Sequence, residues 1–359
     1  MKKERIKKVQ ESMAKKELKQ ILVTDPASIF YLTGKWVHPG ERMVALLIRQ
    51  DGEHKFFINK LFSMEDDIGI PLIWYSDVDN PVEILKDYVD KNEILGIDKT
   101  WSAGFLISLM EVKAAKGYVN SSPIIDTLRM VKDEEERELM RESSKINDRV
   151  MEKLFSEFKE GKTEKYYEDK LKELYAQEGV FEFSFPPIIA FSPNGSDPHH
   201  ETDNTLLKKG QSIVIDMGGI YKSYCSDMTR TVFFGAEPSE EDRKIYEIVK
   251  EANLRAISVV KEGVKFSDID RSARSYIEEK GYGEYFTHRT GHSIGIETHD
   301  FGDVSSANDN IVKEGMIFSI EPGIYIPGRI GVRIEDLVMV KKDGVEVLNH
   351  VTKEITVIK

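Results

Sequence analysis

Residues 208–218 read KKGQSIVIDMG, and residues 313–323 repeat that pattern as KEGMIFSIEPG, 105 residues further along the chain. Each copy ends in an acid and, two residues later, a glycine, and each is followed by a second acid within an apolar segment. The four acids are Asp216, Asp227, Glu321 and Glu335. They lie on strands that otherwise read as core, where an unpaired charge would cost several kcal/mol. The duplication therefore predicts two acidic pairs that face each other and hold two divalent metal ions.

The repeat extends towards the N-terminus. The triplet KEG at 159–161 recurs at 261–263, and Gly179 recurs as Gly281, with helical patterns between them. A single repetition near a hundred residues is too long for a solenoid period. Residues 129–359 are therefore predicted to form one α+β domain, in which a helix–helix–β-hairpin unit is duplicated about an internal pseudo-twofold axis.

Residues 1–128 alternate helix and strand signals and are predicted to form a separate α/β domain. Two apolar runs, 44–49 and 55–59, flank an Asp-Gly pair at 51–52, which is a strong hairpin signal. The acidic run 133–136 is typical of a helix N-terminus and predicts the first helix of the second domain.

Composition limits the function classes. The formal net charge is −12 and no long Lys/Arg run occurs, so neither nucleic acid nor an anionic membrane is expected as a partner. No window reaches the roughly 18 apolar residues that a membrane span needs. A single cysteine, Cys225, fits a reducing compartment and is expected to be a packing residue. A soluble cytoplasmic protein is predicted.

The first acidic pair is predicted to lie on one hairpin. If the hairpin turns symmetrically at Tyr221-Lys222, Asp216 and Asp227 are direct cross-strand neighbours, with Cβ atoms about 4.5–5.5 Å apart. Like charges at that spacing repel unless a cation lies between them. Exposed hairpin acids are the alternative, but apolar neighbours such as Ile213 favour a buried hairpin.

The second pair is supported by strand alternation and by a histidine. Arg333 and Glu335 alternate with apolar residues and share one strand face, so a weak surface ion pair is the alternative reading of these two residues. His292, in the segment TGHSIG, offers a nitrogen ligand next to a small residue. The duplication favours the metal-binding interpretation of Glu335 over the surface ion pair.

These residues, taken in order, resemble the pita-bread metallopeptidases, which include methionine aminopeptidase, aminopeptidase P and prolidase (Xaa-Pro dipeptidase). The motifs that carry the resemblance are PH at 198–199, IDMG at 215–218, SDMTR at 226–230, GH at 291–292, IEPG at 320–323 and GVRIED at 331–336. The resemblance covers the whole chain, because aminopeptidase P and prolidase carry an additional N-terminal α/β domain. Ser293 departs from the glycine that usually follows the ligand histidine, and Asp300 stands where Glu is also common.

The resemblance implies roles for individual residues. The metal ligands would be Asp216, Asp227, His292, Glu321 and Glu335. His199 and His299 would act on substrate and transition state, and Arg333 would be the arginine beside the last ligand. An oxygen-rich set of this kind suits two Mn²⁺ or Co²⁺ ions, with Fe²⁺ or Zn²⁺ as alternatives. A water bridging the two metals would lose a proton and become the attacking hydroxide. Glu321 would also take that proton and deliver it to the leaving nitrogen.

The function expected from the resemblance is hydrolysis of Xaa-Pro dipeptides by a homodimer. Two alternatives stay open: an aminopeptidase P that acts on longer Xaa-Pro-Yaa peptides, and a non-catalytic binding module of the same fold. A dipeptidase must recognise the free proline carboxylate, for which Arg333 and Arg42 are the arginines considered. The loop 34–42 is either a plain surface loop or a lid that reaches a partner subunit's site.

Overall fold

The structure is a computed structural model that describes residues 1–64 and 67–359. The chain divides into two compact units, Met1–Arg129 and Met130–Lys359, one residue after the predicted domain boundary. Among the helices formed by the described residues, none combines the length and the apolar character that crossing a bilayer requires.

The first unit contains a six-stranded mixed sheet with helices. The strands are β1 (Gln20–Val23), β2 (Ala45–Arg49), β3 (Lys55–Asn59), β4 (Leu72–Tyr75), β5 (Ile94–Ile97) and β6 (Gly117–Asn120). The helices are α1 (Lys3–Lys15), α2 (Pro26–Thr33), α3 (Pro81–Lys86), α4 (Ala103–Glu111) and α5 (Ser122–Met130). The strand order is β4-β3-β2-β1-β5-β6, and β2 pairs with β3 as the predicted antiparallel hairpin. The α/β prediction for this unit is confirmed.

Local sequence explains how α2 forms. The Asp25 side chain accepts a hydrogen bond from the backbone N–H of Ser28 at 2.8 Å, and Pro26 occupies the first turn, where its missing N–H costs nothing. The helix ends at Gly34, whose φ of 76° is left-handed and favours glycine.

The second unit is α+β. Its helices are α6 (Glu134–Phe155), α7 (Glu164–Gln177), α8 (Glu240–Ser258) and α9 (Phe266–Glu279). Its strands are β7 (Ile188–Phe191), β8 (Ser212–Met217), β9 (Ile220–Tyr221), β10 (Tyr224–Cys225), β11 (Met228–Phe234), β12 (Gly291–His292), β13 (Asp303–Val304), β14 (Ile317–Ile320), β15 (Gly323–Ile326), β16 (Ile330–Arg333), β17 (Asp336–Lys341), β18 (Gly344–Val347) and β19 (Val357–Ile358). The larger sheets have the orders β19-β11-β8-β7 and β14-β17-β18.

The duplication is visible in the backbone hydrogen bonds. Two bonds that tie a helix start to the following chain recur in the second half: Gly161 N to Leu207 O and Gly263 N to Val312 O, both 2.9 Å, and Glu164 N to Thr205 O at 3.2 Å and Phe266 N to Asn310 O at 3.1 Å. One apolar core lies under α6 and α7, and a second lies under α8 and α9. The predicted repeat of a helix–helix–hairpin unit is confirmed.

The predicted register of the first hairpin is wrong. Asp216 pairs with Thr229, because the chain turns at Lys222-Ser223 instead of Tyr221-Lys222. Both turn residues have positive φ, 47° and 71°, which is the geometry of the type I′ turns that match strand twist. Moving the turn by one residue shifts the register by two, so Asp227 keeps the face of Asp216 but becomes its diagonal neighbour.

Candidate metal centre

Strand ends from both halves of the second unit carry the five predicted ligands. Asp216 lies on β8, Asp227 precedes β11, His292 lies on β12, Glu321 follows β14 and Glu335 joins β16 to β17. Three of them are almost completely buried: Asp227 is 3% exposed, His292 4% and Glu335 1%.

The structure brings these residues together. Ligand atoms of Asp227, His292 and Glu335 all lie within 4.8 Å of one another. His292 Nε2 is 3.6 Å from Asp227 Oδ2 and 3.5 Å from Glu321 Oε1. Asp216 is close enough for its charge to raise the pKa of Asp227 and of Glu335, after the larger effect of burial.

Several carboxylate oxygens in this cluster are buried without a hydrogen-bond donor from any described residue. They are Asp216 Oδ1, Asp227 Oδ1 and Glu335 Oε1. A buried acceptor left unpaired costs about 1–3 kcal/mol, and more when it is charged. Three such oxygens around one point are explained by a cation that they would coordinate.

His292 has the protonation state that a metal ligand requires. Burial, and then the charge of His299, lower its pKa to about 3, so the imidazole is neutral. Nδ1 lies 3.3 Å from Ser293 O and donates its hydrogen there, which leaves the Nε2 lone pair directed at the carboxylates. A neutral nitrogen facing carboxylate oxygens is repulsive unless a cation lies between them.

The acids are correspondingly hard to ionise without a cation. Burial first, and then the neighbouring carboxylates, raise the pKa of Asp227 and Glu335 well above the usual range. Burial raises the pKa of Glu321 to about 7, against the opposing charge of Arg333. Four carboxylates and one neutral imidazole fit hard divalent cations, which prefer oxygen ligands.

The guanidinium of Arg333 is hydrogen-bonded to other side chains of the protein. It is 3% exposed, and its Nη2 donates to Asp216 Oδ2 at 2.7 Å. Its Nη1 donates to Tyr325 Oη at 2.9 Å and its Nε to Thr229 Oγ1 at 3.1 Å. Thr229 in turn donates to Glu335 Oε2 at 2.7 Å. Arg333 therefore orients Asp216, and each of its three guanidinium nitrogens already donates to a group of the protein.

Arg42, the other arginine considered for that carboxylate, lies in the first unit. Its Nε and Nη2 donate to the two oxygens of Asp77 at 2.8 and 2.9 Å, in a bidentate pair. A carboxylate of the protein thus already occupies the face of the guanidinium that a substrate carboxylate would need.

The two predicted histidines are more exposed than the ligands. The His299 ring stands edge-on to the His292 ring, with centroids 4.3 Å apart and an interplanar angle of 84°. Desolvation of its packed side, and then the charges of Arg289 and His199, lower the pKa of His299. His199 is exposed, in the loop that follows a 3₁₀ turn at Asn194–Ser196.

Sequence reasoning missed two residues that extend this network. Tyr325 Oη accepts from Arg333 and donates to His288 Nε2, the latter bond being 2.8 Å long. His288 Nδ1 is 2.7 Å from Arg289 O, and burial lowers the pKa of His288 to about 4. The only available signal was the position of His288 four residues before His292, and that spacing has no fixed meaning outside a helix.

Arg289 was also missed. It is exposed. Burial lowers the pKa of His292 and of His299 and raises that of Glu321, and the charge of Arg289 is a smaller effect that acts to lower all three. Within residues 1–64 and 67–359 its guanidinium has no ion-pair partner. It is a cation at the edge of the carboxylate cluster that can bind an anionic group.

Cys225 behaves as a packing residue. It is 2% exposed, burial raises its pKa to about 11, and its Sγ lies 3.6 Å from Ile296 O. A thiol in that state is a poor nucleophile.

The fold and the carboxylate–imidazole cluster define a metallopeptidase of the pita-bread class, with an additional α/β domain. Residues 138–342 match the model of metallopeptidase family M24, and residues 5–131 match the creatinase/prolidase N-terminal domain. The chain belongs to metallopeptidase family M24. The predicted family, fold class and enzyme class are confirmed.

Relatives and solved structures are similar to this chain over nearly its full length. The chain is 37% identical to an uncharacterized peptidase of Staphylococcus aureus strain MSSA476, covering 97% of this chain and 99% of the relative. It is similar to the prolidase from Thermococcus sibiricus, with a TM-score of 0.94 and 36% identity over 99% of each chain. The X-Pro aminopeptidase from Thermotoga maritima gives 0.83 and 28%, covering 97% of this chain and 99% of that one.

Proposed function

We propose that this chain is an Xaa-Pro dipeptidase that needs two divalent metal ions. The observation that carries the metal requirement is the set of buried, unpaired carboxylate oxygens around the neutral Nε2 of His292. The proline-specific activity is supported by the similarity to a prolidase over 99% of the chain. The proposed ligands are Asp216, Asp227, His292, Glu321 and Glu335.

The bound ions, expected to be Mn²⁺ or Co²⁺, supply Lewis-acid polarisation of a carbonyl and lower the pKa of a water. Glu321 holds the proton taken from the attacking water and delivers it to the leaving proline nitrogen, because its Oε1 lies 3.5 Å from His292 Nε2 at the centre of the cluster. This nitrogen carries no hydrogen in an Xaa-Pro bond, so the single proton delivered by Glu321 converts it into the secondary amine of the released proline.

Neutral histidines suit the stabilisation of negative charge by hydrogen bonding. His299, next to His292 and with a lowered pKa, donates a ring N–H to the oxyanion that develops on the scissile carbonyl. His199, on its exposed loop, contacts the substrate. Arg333 fixes the direction of Asp216 through the 2.7 Å bond between Nη2 and Oδ2.

Arg289 is the group that we assign to the proline carboxylate of a dipeptide. Arg289 is exposed, and its charge acts on Glu321. Its guanidinium has no ion-pair partner among the described residues, whereas Arg333 and Arg42 are already paired. A charge-assisted hydrogen bond of this kind contributes about 1.5–3 kcal/mol.

An aminopeptidase P that acts on Xaa-Pro-Yaa peptides is the second candidate function. The similarity to an X-Pro aminopeptidase over 97% of the chain supports it. The two activities share the chemistry and differ in whether the site recognises a carboxylate directly after the proline.

The test is a substrate ladder. Metal-stripped protein is reloaded with Mn²⁺ or Co²⁺ and assayed on Xaa-Pro, Xaa-Pro-Yaa and longer peptides, with Arg289→Ala beside wild type. We expect Xaa-Pro to be preferred, and Arg289→Ala to raise KM for Xaa-Pro by about 10-fold or more with little effect on tripeptides. Arg271→Ala, which removes an exposed arginine paired with Asp268 on α9, is the matched control.

Two results would overturn the assignment. A wild-type preference for tripeptides, with Arg289→Ala affecting both substrates alike, would make aminopeptidase P the better description. Absence of hydrolysis on every proline peptide after metal loading would favour a binding module. Four other expectations stay predictions. They are the domain limits 1–128 and 129–359, the homodimer, the cytoplasmic location and a lid role for the loop 34–42.

A further inference from the structure

The chain between β7 and β8 carries His199 and is hydrogen-bonded to one buried acid, Glu164. We call residues 192–206 the His199 loop. Glu164, the first residue of α7, is fully buried with 0% exposure. Nothing in the proposed reaction uses its carboxylate, so its burial needs a separate explanation.

Every acceptor position of Glu164 is occupied. Its Oε1 accepts from Phe191 N at 2.7 Å and from Asn194 Nδ2 at 3.0 Å. Its Oε2 lies 2.7 Å from His200 Nε2 and accepts from Asp203 N at 3.0 Å. Two of these donors precede His199 in the chain and two follow it, so one carboxylate ties together both arms of the loop.

A metal site is the competing interpretation, because Glu164, His200 and Asp203 place ligand atoms within 4.8 Å of one another. The hydrogen bonds argue against it. A carboxylate offers about four lone-pair positions, and four N–H donors fill those of Glu164. Two of the donors are backbone amides, whose hydrogens would be directed at a bound cation.

The duplicated half provides an internal comparison. The helix start equivalent to Glu164 is Phe266, which has the matching backbone bond to Asn310 and packs edge-on against Phe318. An apolar residue therefore satisfies this position in the second half, where the equivalent loop carries His299. A fully buried acid occupies it only in the half that presents His199.

We propose that Glu164 is a positioning residue that fixes His199 for the reaction by clamping the His199 loop through His200. The adjacent backbone is further restrained by Asp197, whose Oδ1 accepts from His199 N at 3.0 Å and whose carbonyl accepts from His200 N at 3.2 Å. With His200 held by Glu164, the backbone that carries the neighbouring His199 side chain is restrained on both sides. The inference rests on the proposed function for the task given to His199.

The first test does not depend on activity. Glu164→Gln places an amide N–H₂ against two of the four donors and opens one side of the clamp. We expect amide hydrogen exchange across residues 192–206 to accelerate about 10-fold or more, with α7 and β8 unchanged. The matched control is Glu168→Gln, one turn along the same helix, which loses only a surface ion pair with Lys172. Unchanged exchange in the His199 loop would refute the clamp.

The second test is a double-mutant cycle on the reloaded enzyme. A positioning error near 1 Å costs about 10²-fold in rate, so Glu164→Gln should lower kcat/KM for Xaa-Pro by about 10- to 100-fold with two metals still bound. In a His199→Ala background the same change should cost about 3-fold or less, because the group being positioned is absent. Equal losses in both backgrounds would show a general structural role.

Variants at His200 provide a conservative rescue. His200→Gln retains an N–H donor for Glu164 and should keep activity within about 3-fold, whereas His200→Leu should match Glu164→Gln. Equal loss in both variants would refute the link through His200. If wild type hydrolyses no proline peptide, the proposed function fails, and the exchange measurement still decides whether the clamp exists.

Discussion

Two consecutive buried acids, Glu335 and Asp336, should respond in opposite ways to neutralisation in metal-free protein. Both are at most 1% exposed. Glu335 has one oxygen on Thr229 and one with no donor from the described residues. Asp336 instead pairs with Arg230 at 2.7 Å and with Lys353 at 2.6 Å.

The magnitudes follow from these contacts. Ligand atoms of Glu335 and Asp227 lie within 4.8 Å, where two full charges at an effective dielectric of about 20 repel by about 3.5 kcal/mol. The metal-free cluster therefore retains protons at neutral pH, and Glu335→Gln imitates the protonated form. Its free energy of unfolding should equal that of metal-free wild type or exceed it by up to about 2 kcal/mol.

Asp336→Asn should be strongly destabilising. Although burial alone raises the pKa of Asp336, the charges of Arg230 and Lys353 outweigh that effect and lower it. Removing the carboxylate leaves Arg230, which is 1% exposed, without its ion-pair partner. Breaking a buried pair in this way costs about 3–5 kcal/mol, or roughly 6–20 °C in a unit of this size.

The assay is thermal unfolding of chelator-stripped protein, repeated after Mn²⁺ addition, with metal counted by elemental analysis. Wild type should gain several degrees on loading, Glu335→Gln should gain little, and Asp336→Asn should still bind metal where it remains folded. The reasoning is refuted if metal-free Glu335→Gln unfolds as early as Asp336→Asn, because the unpaired oxygen would then have a stabilising partner.

Two further predictions concern turnover and pH. His299→Ala should lower kcat by about 10²–10³-fold with unchanged metal content, and a proportional loss of metal would show a structural role instead. Burial raises the pKa of Asp148 on α6 from 3.8 to about 6, so its proton stabilises the folded state below about pH 4, and this stabilisation is lost as pH rises through 6. Asp148→Asn should therefore gain up to about 3 kcal/mol relative to wild type between pH 4 and pH 8, measured by urea unfolding; a constant difference would contradict the shifted pKa.

The duplication could be predicted because each half repeats a short segment of sequence that can be recognised by itself. Acids at equivalent positions in two apolar strands have few explanations, and the family motifs added the histidines. The strands β4 and β6 were not predicted. They are the edges of their sheet and are only partly buried, so they lack the apolar pattern that identifies a central strand.

Register and long-range partners could not be predicted from the sequence. The turn at Lys222-Ser223 contains neither Gly nor Asn, so no residue there signalled positive φ. The partners of Arg333 and Glu164 lie up to 135 and 39 residues away in the chain, and such pairings leave no local pattern. The sequence placed Arg333 beside Glu335, but it gave no sign of the hydrogen bond from Arg333 to Asp216.

The two halves of the second unit contribute equivalent acids but unequal loops, and this difference separates metal binding from specificity. Asp216 and Glu321 end equivalent strands, and equal charges brought together in this way are unfavourable until a cation joins them. The His199 loop with Glu164 comes from the first half alone, and Arg289 and His299 come from the second. Changes at the duplicated acids should therefore remove metal and turnover together, whereas changes at the unequal loops should alter substrate preference or rate while the metal remains bound.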